Sequence, residues 1–205
     1  MSATGDLLAF AGARHVLPQA ARADALRLLG DTLAVGAAGV GAPGEAAILA
    51  AARAMGSGAE ARLIGTGERL PAPAAAFVNG YRIHCLEWDA VHEPAVVHAM
   101  SVVTAALGAV IDRRGGCDPD EALAALAVGV DVASGLGLAA RSGLTFFRPA
   151  TAGIVGAALA LPAGRAMTRS GIWPNCAPMR ARSRGSSWPR RRSFTGWWGA
   201  LIRAR

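Results

Sequence analysis

The chain of 205 residues contains no lysine, so all 21 of its basic side chains other than histidine are arginines. Together with the abundance of Ala and Gly, that bias is the mark of a chain encoded by GC-rich DNA. Cysteine is scarce as well. Cys85, Cys117 and Cys176 are an odd number with no CxxC spacing, which argues against a disulfide framework and against a zinc ribbon. A reducing cytoplasm is the expected compartment. The opening residues, MSATGDLLAFAGAR, lack the positive n-region of a secretory signal, because Asp6 precedes the first arginine and the apolar run is short; they read as the start of the mature protein. Nor is there a clean membrane span. The longest candidate, ALAALAVGVDVASGLGLAA over 122–140, has Asp131 near its middle. A charge there costs about 2.5 to 3.5 kcal/mol on insertion scales, while Ala and Gly return little apolar area. A buried helix of a soluble protein is expected instead.

Acidic residues are missing from one part of the chain only. Residues 164–205 hold ten arginines and no Asp or Glu, whereas residues 1–163 hold 11 arginines against 14 acidic residues, a net of −3. The overall charge of +7 therefore describes neither part. The sequence divides into a body, 1–163, long enough to bury a core as one domain, and a tail, 164–205.

The body reads as all-α, with six or seven helical segments and no convincing strand ladder. Ala25, Leu26, Leu28, Leu29, Leu33 and Val35 recur at three- and four-residue steps, which predicts a helix over 20–39 ended by Gly39 and Gly41. A second unit opens at Pro43-Gly44-Glu45 and stops at Gly56 and Gly58. Residues 61–73 are the one stretch suited to a short hairpin, with Gly65 and Gly67 at its turn. A helix from about Pro73 to Glu87 follows, its buried register expected at Ala76, Phe77, Gly80, Ile83 and His84. Pro94 then makes 88–97 a loop or a broken helix. Two more helices are predicted over 99–113 and 119–141, the second capped by Asp118 with Pro119 and Glu121 in its first turn. Their small side chains imply close helix packing.

One segment concentrates titratable groups. HCLEWDAVHEPAVVH, residues 84–98, holds three of the four histidines and three of the 14 acidic residues. On a helix His84 and Glu87 share a face, and His84 to Asp89 spans the helix end. If the loop after Trp88 folds back, His92 and His98 join the same cleft. Such a group suits general acid/base work, because a carboxylate beside an imidazole sets its tautomer and raises its pKa. The alternatives are helix caps with surface ion pairs, and a metal site, for which HxxE followed by a later His is a weak signal. Trp88 is expected to pack at the rim.

The tail carries four of the five tryptophans and three prolines, with no sustained helical period. It admits three readings: a basic arm for RNA or DNA, a disordered extension, or translation out of phase after a slip of the reading frame near Leu161 to Gly164. A basic arm usually mixes lysine with arginine, and disordered segments rarely carry so many large aromatics. The out-of-phase reading is preferred, and nucleic acid is not the expected partner.

Three stretches carry a likeness to a known family: RLLGDTLAVGAAG at 27–39, the run from Gly65 to Gly108 with AAFVNG, HCLEWDA and His98, and FFRPATAGIVGAALAL at 146–161. They resemble the MmgE/PrpD family, which includes 2-methylcitrate dehydratase, cis-aconitate decarboxylase and iminodisuccinate epimerase, and whose signature is A-A-F-x-N-G, H-x-L-D-F-D-D and a later H-P. The resemblance implies that this chain supplies the first part of the family's all-helical domain. The remaining catalytic groups, including a lysine and a histidine, would come from a region after residue 161, so that the chain alone is expected to be inactive. It implies a lyase or isomerase moving a proton next to a carboxylate of a small di- or tricarboxylic acid, without metal or other cofactor, in a homodimer. Carried over by position, Glu87 and Asp89 match the family's acidic pair and His98 its histidine. His98 is then the acid/base, Asp89 and Glu87 set its protonation and orientation, His92 joins the catalytic set, and Arg148 and His84 are substrate-binding candidates. Ala90, Val91 and Ala99 depart from the signature, where the family has an acid, a threonine and a proline. Those changes, with His92 and Glu93, imply a substrate that need not be a tricarboxylate.

Overall fold

The computed structural model describes residues 2–140 and 147–161; the tail, 164–205, lies outside the described residues. The described chain runs through α1 (Ala3–Gly12), α2 (Gln19–Ala38), α3 (Glu45–Ala54), the two-residue strands β1 (Ala61–Arg62) and β2 (Arg69–Leu70), α4 (Ala72–His84), α5 (Ala99–Arg113), α6 (Pro119–Ala139) and α7 (Arg148–Ala160). The body is thus all-α apart from one small hairpin.

Local chemistry sets most of these boundaries. At the start of α6 the Asp118 carboxylate accepts from the amides of Asp120 and Glu121 at 2.9 and 3.1 Å, with Pro119 at the first helical position, as the sequence predicts. The hairpin pairs Ala61 with Leu70 and Arg62 with Arg69 in antiparallel register, and Gly65 and Gly67 take the positive φ values (86° and 72°) that its turn requires. α1 precedes the first helix that the apolar pattern predicts; Ser2 caps it by accepting from the Gly5 amide at 3.2 Å.

α5 lies at the centre, touching α2, α4, α6, α7 and β1. Its Met100, Val103 and Leu107 form the main core with Leu126, Val130 and Ala133 of α6 and Ala157 and Ala160 of α7. A second cluster joins Val78 of α4 to Leu63 and Leu70 at the hairpin and to Ala52 of α3. α6 has the length and hydropathy to cross a bilayer, yet 67% of that window is buried within the fold, so it serves here as a core helix. Its pairing with α7 depends on small residues. A Cβ at Gly129 would stand 2.7 Å from Ala160 Cβ and Val103 Cγ1, and one at Gly156 would strike the Gly129 carbonyl. The two backbones approach so closely that nothing larger than hydrogen fits.

Two helix registers differ from expectation. In α2 the buried positions are Ala25, Leu28, Thr32, Val35 and Gly36, while Leu26 and Leu33 are exposed. In α4 Phe77 is exposed, and the buried face runs through Ala75, Val78, Asn79, Arg82 and Ile83. The reason is that polar side chains on this face carry the tertiary contacts. Asn79 accepts from the Ile64 amide at 2.8 Å and donates to the Arg62 carbonyl at 2.9 Å. Arg82, 1% exposed, pairs with Glu45 (Nε to Oε1 2.7 Å) and donates through Nη1 to Thr66 Oγ1 (3.3 Å) and the Ile64 carbonyl. These contacts pin the hairpin and the start of α3 to α4, whose last residue is His84.

Candidate active site

α4 ends at His84 through a turn in which the Cys85 and Glu87 amides donate to the Tyr81 and His84 carbonyls. The chain then loops back to His98, the residue that opens α5. Within this loop the only described non-glycine residues with positive φ are Glu87 (53°) and Val96 (52°), each two residues from a member of the cluster. Left-handed backbone at a β-branched residue such as Val96 is disfavoured, so the surroundings must hold it. They do so in three ways. His92 and Val97 exchange backbone hydrogen bonds at 3.0 and 3.4 Å, His92 Nδ1 accepts from the Ala95 amide at 3.1 Å, and Arg148 Nη1 donates to the Ala95 carbonyl at 3.0 Å. Gly137 of α6 completes the seat, since a Cβ there would come within 2.8 Å of Ala95.

The loop brings His84, Glu87, Asp89 and His98 together. Asp89, 5% exposed, lies between the two imidazoles: its Oδ1 is 3.0 Å from His84 Nδ1, which is a hydrogen bond, and 3.2 Å from His98 Nδ1, which lacks the alignment of one. The Asp89 Oδ2 and His98 Nδ1 atoms are both buried and without a hydrogen-bond partner. The rings meet edge to face with centroids 4.7 Å apart, and Phe147, just before α7, leans on His84 at 5.9 Å. Glu87 covers the outer side, its two oxygens 3.4 Å from His84 Nε2 and 3.9 Å from His98 Nε2.

Electrostatics follow the geometry. The hydrogen bond to Asp89 raises the His84 pKa above its ordinary 6.5; burial opposes the rise, and the charges of Asp89 and Glu87 add to it. His92 moves the other way, because burial disfavours its charged form. The placement of His92 also differs from that of its neighbours: its ring caps the turn at Glu93–Ala95 and so shapes the loop that carries the others. Arg148 likewise holds backbone, donating through Nη1 to the Gly137 carbonyl (3.2 Å) as well as to Ala95. Beside it a shallow cavity of about 230 Å³ is lined by Leu136, Gly137, Ala140, Arg148, Thr151 and Ala152, and none of the four converging groups borders it. The titratable chemistry is in the cluster rather than in that cavity.

Glu45, Asn79 and Arg82, which support the cluster through α4, are not among the candidate site residues that the sequence pattern marks. One signal was present: a polar residue at 79 and an arginine at 82 in register with Ala75 and Val78 implies buried partners. As donors, His84, Asp89 and His98 form a group able to hold a metal, with one ligating atom from each within 4.8 Å of the others. Without a metal, two imidazoles sharing one carboxylate can store and pass a proton.

No curated protein sequence and no solved structure matches this chain. Its sequence does match the MmgE/PrpD N-terminal domain over residues 11–170, a span that includes α2 to α7 and the whole histidine loop, and the chain therefore belongs to the MmgE/PrpD family.

Proposed function

We propose that this chain supplies the acid/base part of an MmgE/PrpD-type lyase or isomerase, which transfers a proton at a carbon next to a carboxylate of a small di- or tricarboxylic acid. The observation that carries the reading is the buried Asp89 carboxylate between His84 and His98. Rotation of that carboxylate toward His98 would offer each ring its own oxygen and answer both buried atoms that lack a partner. With Nδ1–H donated to Asp89, the His98 ring keeps its lone pair on Nε2, the nitrogen on the Glu87 side, where it can take a proton from carbon. Asp89 then stabilises the imidazolium that forms, and Glu87 orients the two rings from outside.

In this reading arginines, the only basic residues of this chain besides histidine, are its groups for the substrate carboxylates. Arg148 is a weaker candidate for that role than its sequence position suggests, because its Nη1 is committed to two carbonyls. The exposed apolar side chains Leu138, Phe147, Ile154 and Val155 fit a face that meets further helical structure or a second copy. The reading places the protein in the cytoplasm and expects no turnover from the 205-residue chain alone; dehydration or decarboxylation of a tricarboxylic acid by it at an enzymatic rate would remove the need for a second half.

The test is a chimera in which residues 1–161 replace the corresponding segment of a full-length family lyase. It is expected to be active, and His98→Gln or Asp89→Asn should lower kcat by about 10²- to 10⁴-fold, the usual weight of general acid–base catalysis. Retention of the full rate by either folded variant contradicts the assignment.

A further inference from the structure

We infer that Arg148 is a positioning residue: by gripping the Ala95 carbonyl it fixes the left-handed turn at Val96, and with it the place of His98 beside Asp89. The inference deepens the proton-transfer reading and rests on it for its purpose, while its geometry is open to a test of its own.

Three observations carry it. The first is where the grip falls. Arg148 Nη1 donates to the Ala95 carbonyl at 3.0 Å, and the other end of that same peptide, the Val96 amide, donates to the Glu93 carbonyl at 3.1 Å. The peptide between Ala95 and Val96 is thus held at both ends, and the φ of Val96, 52°, is the torsion that leads out of it. A β-branched residue leaves that region for extended backbone unless its surroundings hold it, and such a change would carry Val97 and His98 away from Asp89. The second is the opposite side of the turn. Arg148 Nη1 also donates to the Gly137 carbonyl at 3.2 Å, and a Cβ at Gly137 would come within 2.8 Å of the Ala95 Cβ, the Ala95 carbonyl oxygen and Val97 Cγ2. One nitrogen therefore ties α6 to the turn where the two meet most closely. Ala95 and Val97 are fully buried, so a carbonyl released there loses its donor away from water. The third is Phe147. It directly precedes Arg148, and its ring lies 5.9 Å from that of His84, so the start of α7 supports one imidazole by contact and the other through the turn. An arginine that binds a carboxylate presents its planar fork. Here a single nitrogen serves two carbonyls, a task that a lysine ammonium, with three donors on one atom, can also perform.

The experiment is NMR of the full chain, reading the NOE between the His84 and His98 rings, whose centroids lie 4.7 Å apart, and the tautomer of neutral His98 from its ring 15N shifts. The wild-type chain is expected to show the ring contact and the His98 proton on Nδ1. Arg148→Met should lose both while circular dichroism stays helical. Arg148→Lys should retain both, and Thr151→Ala, beside the same cavity, should leave both unchanged. Gly137→Ala presses on the turn from α6 without altering any charge and should reproduce the losses, so that the inference stays testable if Arg148→Met does not fold. Wild-type ring contact in folded Arg148→Met or folded Gly137→Ala overturns the inference. So does a Lys variant as perturbed as the Met variant. If the wild-type His98 carries its proton on Nε2 instead, the proton-transfer reading fails, while the ring contact still decides the role of Arg148.

Discussion

Replacing Arg82 by Met tests whether the polar face of α4 is what holds the site in place. The guanidinium is buried and serves three partners: the Glu45 carboxylate, the Ile64 carbonyl and Thr66 Oγ1. Met fills most of the volume, so the loss is electrostatic rather than a cavity. Breaking one side of a buried pair costs about 3–5 kcal/mol, since the remaining charge is left without its partner. Here the lower end applies, about 3 kcal/mol, because Glu45 keeps a hydrogen bond from the Gly41 amide at 2.8 Å. With a urea slope of about 2 kcal/mol/M, the midpoint should fall by about 1.5 M, and Tm by on the order of 10 °C. The double variant Arg82→Met/Glu45→Gln removes the orphaned charge yet keeps the acceptor for Gly41. It should recover about 1–2 kcal/mol, the remainder being the unpaired Ile64 carbonyl. Urea unfolding followed by circular dichroism measures all three proteins. A single variant that loses less than about 1 kcal/mol, against the 3–5 typical of such pairs, or a double variant no more stable than the single one, refutes the reasoning.

The two shifted histidines give stability a maximum in pH. His84, raised above 6.5, contributes stability that is complete below 6.5 and is lost as pH rises through its folded value. His92, lowered below 6.5, contributes stability that is present above 6.5 and is lost as pH falls through its folded value. The two windows meet near the unfolded value of about 6.5, so unfolding free energy should peak there; His84→Gln should flatten the alkaline side and His92→Gln the acidic side of that profile, and a curve unaffected by either change contradicts the assignment. At the α6–α7 crossing, Gly156→Ala puts a methyl against the Gly129 carbonyl and 2.8 Å from Ala133 Cβ, and should cost about 1–3 kcal/mol in urea. Asp118→Ala removes the cap of α6 and should cost about 1 kcal/mol, with Asp118→Asn restoring most of it.

Much of the fold was legible because local signals and tertiary structure agree. The cap at Asp118, the break at Pro94 and the glycine turn of the hairpin act through backbone geometry that neighbouring residues decide. The registers of α2 and α4 were less legible, because an apolar stripe marks burial only when no polar side chain has a buried partner. Thr32 and Arg82 are buried since each finds one, Thr32 at the Leu28 carbonyl (2.8 Å) and Arg82 at Glu45, and Leu33 and Phe77 are left outside. In the candidate site, the density of titratable groups along 84–98 marks the loop in which four of them converge. What a linear pattern does not encode is which way a left-handed residue turns the chain. Glu87 and Val96 decide that His84, Asp89 and His98 converge, while His92, in the middle of the same stretch, caps the turn instead.

Asp89 sets the protonation of His84, and long-range 1H–15N NMR of the histidine rings across pH reads that control. In the wild-type chain His84 should titrate above 6.5, with its neutral form carrying the proton on Nδ1, and Asp89→Asn should bring that titration down and release the tautomer preference. If His84 titrates at the same pH and in the same tautomer in both proteins, Asp89 does not set the protonation of His84 and the proton-transfer role proposed for this cluster is contradicted.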